Sequence, residues 1–220
     1  MANIIFQTSP ALWPMVEFEL DMIQNELNNG HSIKLLYCVG EQYSCEANNP
    51  NNFKKLSRRV CNECISRRKA SFKWLSYEKD NLSLIPLSNS QLNIKKKKLI
   101  SKINNSHTYE EFLQNKISVS KKILKSVDST LKTNRRESTI DYSLCFYKFK
   151  QYLSDAITYE FLAKKIINRF KPHKIYIYNA RMLWYKPFVT TIYDYFVYEY
   201  PIYGFNKYLV HKNYLDMDLK

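Results

Sequence analysis

The chain predicts an α/β fold: a Rossmann-like, mostly parallel sheet with a helical insert and a cysteine-rich loop. Three observations carry this. Short apolar runs of strand length alternate with amphipathic stretches, a strand–helix–strand pattern fills the opening segment, and the middle of the chain keeps helical spacing throughout. The whole sequence reads as one Rossmann-like domain, 1–220, with the insert at about 108–170.

Residues 3–8 (Asn-Ile-Ile-Phe-Gln-Thr) read as a short buried strand. Pro14 opens a helix whose apolar face is Val16, Leu20, Ile23 and Leu27, and Asn28-Asn29-Gly30 stops it. Residues 33–38 form the second strand, so the pair is a βαβ unit with parallel strands. A loop at 39–57 and a short helix at about 58–74 follow, and residues 82–87 make a third strand. Residues 88–107 are a polar connection with a helical piece. Thr108 with Glu111 three residues on is a capping-box pattern, and Leu113, Ile117, Leu124, Val127 and Leu131 predict a helix behind it. A second long helix is predicted at about 141–170, with Phe146, Phe149, Leu153, Ile157 and Phe161 on one face and Pro172 closing it. Residues 174–178 (Lys-Ile-Tyr-Ile-Tyr) are the clearest strand; a helix at about 184–195 and a strand at 196–198 ending at Glu199 complete the series.

The net charge is +14, and 20 of the 34 basic residues fall in 54–73 and 95–136 against four acidic ones. Such a field attracts polyanions, or is simply a solvated lysine surface. Three glycines leave no room for a Gly-rich phosphate loop, and no GxGxxG or GxxxxGK is present. No HExxH, GxSxG or kinase signature appears. The start shows no basic segment followed by an apolar one, and no apolar run is long enough to span a bilayer. Five cysteines without a secretory signal point to the reducing cytosol.

Four of those cysteines crowd into 38–64: Cys38, Cys45, Cys61 and Cys64, the last two as a CxxC. Two thiol pairs suit one tetrahedral structural zinc, although six residues separate the upstream pair. Buried thiols packing as small hydrophobes, or disulfides, are the other readings.

The carboxyl edge of an open α/β sheet is where ligands bind. Thr8 and Ser9 would lie there after the first strand, and Asn179 and Arg181 after the strand at 174–178. Arg181 could grip phosphate or carboxylate in a bidentate fork and Asn179 could fix a hydroxyl. Glu199, ending the next strand, is a candidate acid, base or sugar-hydroxyl acceptor. These five are the expected substrate-binding residues; as turn and surface types they also suit plain structural positions.

Cys38-Val39-Gly40-Glu41, then Cys45, Asn48, Cys61 and Cys64 followed by Arg67-Arg68-Lys69, resembles the cysteine-rich N-terminal segment of GT-B-type glycosyltransferases and related bacterial capsule or lipopolysaccharide biosynthesis proteins. Tyr178-Asn179-Ala180-Arg181 and Tyr198-Glu199 are similar to that family's strand ending in Asn-Gly-Arg and strand ending in Glu, with Ala180 in place of the glycine. The resemblance implies the acceptor-side half of a surface-polysaccharide glycosyltransferase, with a nucleotide sugar held only if a second domain is supplied. Its implied partners are a glycan or lipid-linked acceptor, an anionic membrane surface and a separate transferase half, in the cytoplasm or peripheral at the inner membrane. The isolated chain would not transfer sugar. The alternative is a basic nucleic-acid-binding protein with a zinc-stabilised cysteine loop.

Overall fold

The computed structural model describes residues 1–8, 15–45, 58–78, 80–115, 117, 119–135, 138–178, 196–200 and 209–211. Its centre is a six-stranded sheet in the order β3-β2-β1-β4-β5-β6, formed by β1 (Asn3–Gln7), β2 (Ser32–Cys38), β3 (Leu82–Leu87), β4 (Lys174–Tyr178), β5 (Phe196–Tyr200) and β6 (Leu209–His211). The first five strands are parallel to their neighbours and β6 is antiparallel to β5. This bears out the Rossmann-like α/β expectation, and β6 is an addition to it.

The βαβ unit forms as its pattern dictates. In β1, Ile4, Ile5 and Phe6 are wholly buried, as a central parallel strand requires. The helix α1 (Met15–Asn28) then lays Ile23 and Leu27 on the sheet. It stops at Gly30, whose φ of +72° suits a residue without Cβ and whose N–H closes on the Leu27 carbonyl at 2.9 Å. β2 returns beside β1 in the register Asn3↔Ser32. β3 carries Pro86 and lies at the outer edge, where a missing N–H is tolerated.

The chain next runs through α2 (Arg58–Phe72), between β2 and β3, and then α3 (Ile94–Asn105), α4 (Tyr109–Gln114), α5 (Lys121–Arg135) and α6 (Tyr142–Phe170) before β4 pairs with β1. The single helix expected from Thr108 to Leu131 is two. Thr108 does cap the first, accepting from the Glu111 amide at 3.1 Å while Glu111 accepts from the His107 amide at 2.7 Å. That helix stops at Asn115, whose side chain reaches the Ser106 hydroxyl, and Ser120 caps the second by accepting from Ile123.

Helix α6 contributes to two clusters of buried side chains. Tyr159, Leu162, Ala163, Ile166 and Ile167 in its second half pack on the sheet with Ile4, Leu36 and Ile175. Phe146, Phe149, Leu153 and Ile157 in its first half build a second core with Ile103, Phe112, Val127 and Leu131 from α3, α4 and α5. Asp141 caps its start, accepting from the Ser143 amide at 2.9 Å. Lys171, at φ 43°, ends it just before Pro172. His173 then ties β4 to the chain start: its N–H donates to the Asn3 carbonyl at 2.7 Å and its ring Nδ1 accepts from the Asn3 amide at 2.9 Å.

Candidate ligand-binding site

A cavity of about 720 Å³ opens where the loops after β2 and β3 meet the first half of α6 and the end of α3. The two loops are clamped by Glu41, which accepts from the Asn89 amide at 2.6 Å and the Ser88 hydroxyl at 3.3 Å. The cavity floor comes from α6. Tyr147, Lys150, Gln151, Ser154, Asp155 and Thr158 follow one another at steps of three and one, which keeps them on one face of the helix. Asn89 and Tyr43 from the loops and Asn104 and Asn105 from α3 supply much of the remaining wall.

Asp155 is 5 % exposed. Its Oδ2 accepts from both the Ser44 amide (2.7 Å) and the Ser44 hydroxyl (2.8 Å). Burial pushes its carboxyl up to about 7, against the opposing pull of the hydrogen bonds from Ser44 and the Tyr43 backbone. One turn further along, Tyr159 is buried and takes a hydrogen bond from the Gln42 side-chain amide; burial, then the neighbouring Cys38 thiol, hold its phenol well above the ordinary value. The group at Asp155 therefore stands between acid and base near neutrality, in the wall of a polar cavity.

Two other wall groups are chemically distinctive. The Lys150 ammonium donates to the carbonyls of Asn104 (3.1 Å) and Ser106 (2.7 Å) and stands over the Phe146 ring, so its described partners are all uncharged. Gln151 is 7 % exposed, and its Oε1 is buried without a hydrogen-bond partner among the described residues.

The residues singled out from sequence fall elsewhere. Thr8 is buried at the carboxyl end of β1, its amide donating to the Leu36 carbonyl at 2.9 Å, and it does not line this cavity. Ser9, Asn179 and Arg181 lie outside the described residues, as does the helix expected at about 184–195. The strands that lead to them, β1 and β4, are parallel neighbours in the register Gln7↔Ile177, so both end at the same sheet edge. Glu199 is placed inside β5, not at its end, paired in register with Ile177 and Leu209.

The cysteines gather around Gly40. The Cys38 thiol accepts from the Gly40 amide at 3.2 Å, and the Cys61 sulfur lies 3.9 Å from the Gly40 carbonyl. Burial, with smaller contributions from Cys45, Cys64 and Cys61, pushes the Cys38 thiol up to about 12. Among the described residues no group of three or more His, Cys, Asp or Glu side chains is arranged to hold a metal ion. Arg68, from the basic stretch after the CxxC, is 4 % exposed and spent on an ion pair with the fully buried Glu19 of α1.

No protein-family model matches the chain, and no curated protein matches it. Solved structures do. One is a cyclodipeptide synthase from Fluoribacter dumoffii, 10 % identical over 87 % of this chain and 82 % of that one, with a TM-score of 0.49. Another is a cyclo(L-leucyl-L-phenylalanyl) synthase, 7 % identical over 84 % and 82 %, with a TM-score of 0.45. Both are cyclodipeptide synthases. The structures similar to this chain are thus not GT-B glycosyltransferases, which corrects the resemblance stated above. The surface-glycan function, the glycan or lipid-linked acceptor, the anionic membrane surface and the separate transferase half fall with it, and the nucleic-acid alternative gains no support. Among the described residues no helix is long and apolar enough to cross a membrane.

Proposed function

We propose that this chain binds a small polar molecule in the cavity between α3, α6 and the loops after β2 and β3, and that Asp155 gives or takes a proton there. The observation that carries this reading is a buried carboxyl held near 7 in the wall of a cavity of about 720 Å³ lined by amides, hydroxyls and lysines. Such a volume suits a metabolite-sized ligand. A carboxyl with that value is half-charged at neutral pH and passes a proton in either direction at little cost. The hydrogen bonds from Ser44 hold it in place, so its orientation is set before a ligand arrives. We also place the protein in the cytoplasm, where its five free cysteines stay reduced.

The test is a screen of small polar metabolites by NMR of protein with labelled aspartate carboxyls. Ligands of the cavity should shift the Asp155 carboxyl signal and move its titration midpoint, and Asp155→Asn should abolish the change. Binding that leaves the Asp155 titration untouched would refute the proton-exchange role. The absence of any small polar ligand at millimolar concentration would refute the site.

A further inference from the structure

We infer that Cys61 and Cys64 of α2 form a redox site: exchange with a small-molecule disulfide closes them to a disulfide within the helix, and closure releases the loop after β2. Three residues apart on one helix, the two side chains are neighbours, with Cβ atoms about 5–6 Å apart. A disulfide holds such atoms at about 3.5–4.5 Å, so closure moves them by roughly 1–2 Å and leaves α2 folded. Both thiols are reduced and half-buried, while Cys145 on α6 is buried. Exchange runs through the thiolate, and the Cys38 thiol, pushed up to about 12, competes poorly for it.

What Cys61 touches gives the pair its consequence. Its thiol donates toward the Gly40 carbonyl, with the sulfur 3.9 Å away, and its Cβ lies 3.3 Å from where a Cβ on Gly40 would stand. Helix α2 therefore meets the loop at a point where a glycine leaves the room for contact. The Gly40 amide donates to the Cys38 sulfur at 3.2 Å, so thiols hold this stretch of backbone from both sides. From Gly40 the loop runs straight into the cavity wall: Glu41 grips the Asn89 amide, Gln42 reaches Tyr159 and Ser44 meets Asp155. Closing Cys61 on Cys64 removes the S–H that donates to Gly40 and turns the sulfur toward its new partner. The loop keeps its anchors on the cavity side and loses this one on α2. In the exchange, the thiolate of one cysteine attacks a sulfur of glutathione disulfide and expels a glutathione thiolate. The thiolate of the other cysteine attacks the mixed disulfide and expels the second. Two protein thiols are oxidised, one small disulfide is reduced to two thiols, and the two protons pass from the protein thiols to the expelled glutathiones. A pair of this kind rests reduced in a reducing compartment and closes transiently when the disulfide pool rises. None of this depends on which molecule fills the cavity, so it stands or falls apart from the proposed function.

The test equilibrates the isotope-labelled full chain in glutathione buffers of rising oxidised fraction. Samples are trapped with iodoacetamide under denaturing conditions and digested with trypsin. Arg59 and Arg67 flank the pair, so both cysteines fall in the fragment 60–67. That fragment should lose the mass of two hydrogens and escape alkylation, and dithiothreitol should restore it. In the same buffers the NMR signal of the Gly40 amide should shift in step with the link. Cys64→Ser should abolish both changes, and Cys64→Val, with an apolar side chain, serves if the serine variant does not fold. A link between any other two cysteines, glutathione adducts alone, or no oxidation at all would overturn the site. A Cys61–Cys64 link that leaves the Gly40 amide signal unmoved would overturn the release of the loop.

Discussion

The Asp155 carboxylate and Ser44 join parts of the chain 111 residues apart, with both the amide and the hydroxyl of Ser44 pointing at one oxygen. This fixes the loop after β2 to the middle of α6, and it makes one carboxyl answerable for both loop position and charge.

The charge has a stability consequence. The folded Asp155 carboxyl titrates near 7 whereas an exposed one titrates at 3.8, so between those values the folded chain holds a proton that the unfolded chain has released. Stability contributed by this group is full below about pH 4, falls as pH rises through 7 and levels off above. The loss is on the order of 4 kcal/mol if it is not relieved elsewhere. Urea unfolding of the wild type and Asp155→Asn at intervals from pH 4 to 8.5 should show the difference between them changing across that window. A constant difference would mean that Asp155 is already ionised in the folded state throughout.

Arg68 and Glu19 form a buried pair between α2 and α1, with the guanidinium also over the Phe72 ring. Arg68→Met strands a carboxylate in the interior and should destabilise by about 3–5 kcal/mol. Adding Glu19→Leu should recover most of this. Chemical denaturation of the two variants reads the coupling directly, and equal destabilisation by single and double changes would show that the guanidinium acts through packing alone.

Gly40 and Gly30 make a matched comparison. Both have positive φ, +86° and +72°, but a Cβ on Gly40 would lie 3.3 Å from the Cys61 Cβ while one on Gly30 meets nothing within 4 Å. Gly30→Ala should cost about 1 kcal/mol from backbone strain alone, and Gly40→Ala more, since α2 must also give way. Thermal midpoints of the two variants settle the order.

The Cys38 thiol, raised to about 12, is almost wholly protonated at pH 8. It should resist iodoacetamide in the folded protein and react readily once unfolded, as followed by mass spectrometry of peptides. Rapid alkylation of Cys38 in the native state would contradict the raised value of its thiol.

Local signals explain which parts of this architecture could be read from sequence. The β1–α1–β2 unit, the β3 strand and the β4 strand each rest on a few adjacent residues, so periodicity found them. Helix α6 was equally visible, but its apolar face at Phe146, Phe149, Leu153 and Ile157 drew attention from the polar stripe beside it. Gln151, Ser154, Asp155 and Thr158 look like a solvated face because sequence cannot show that α3 and two loops close over them. The three-residue β6 was invisible for a related reason: it is defined by antiparallel pairing with β5, not by any pattern of its own. A polar stripe adjoining an apolar one on a helix this long was the available sign.

The junction of β1 with β4 has a consequence for how the chain is made. Asn3 leaves the ribosome 170 residues before its partner His173. At about 5–20 residues per second, one edge of the central strand waits on the order of 10–30 seconds for its neighbour. During that interval Ile4, Ile5 and Phe6 have β2 on one side only, with an unsatisfied ladder of amides and carbonyls on the other. Synthesis of this protein therefore passes through a sticky half-sheet, and chaperone holding during translation should matter more to its yield than the stability of the finished fold.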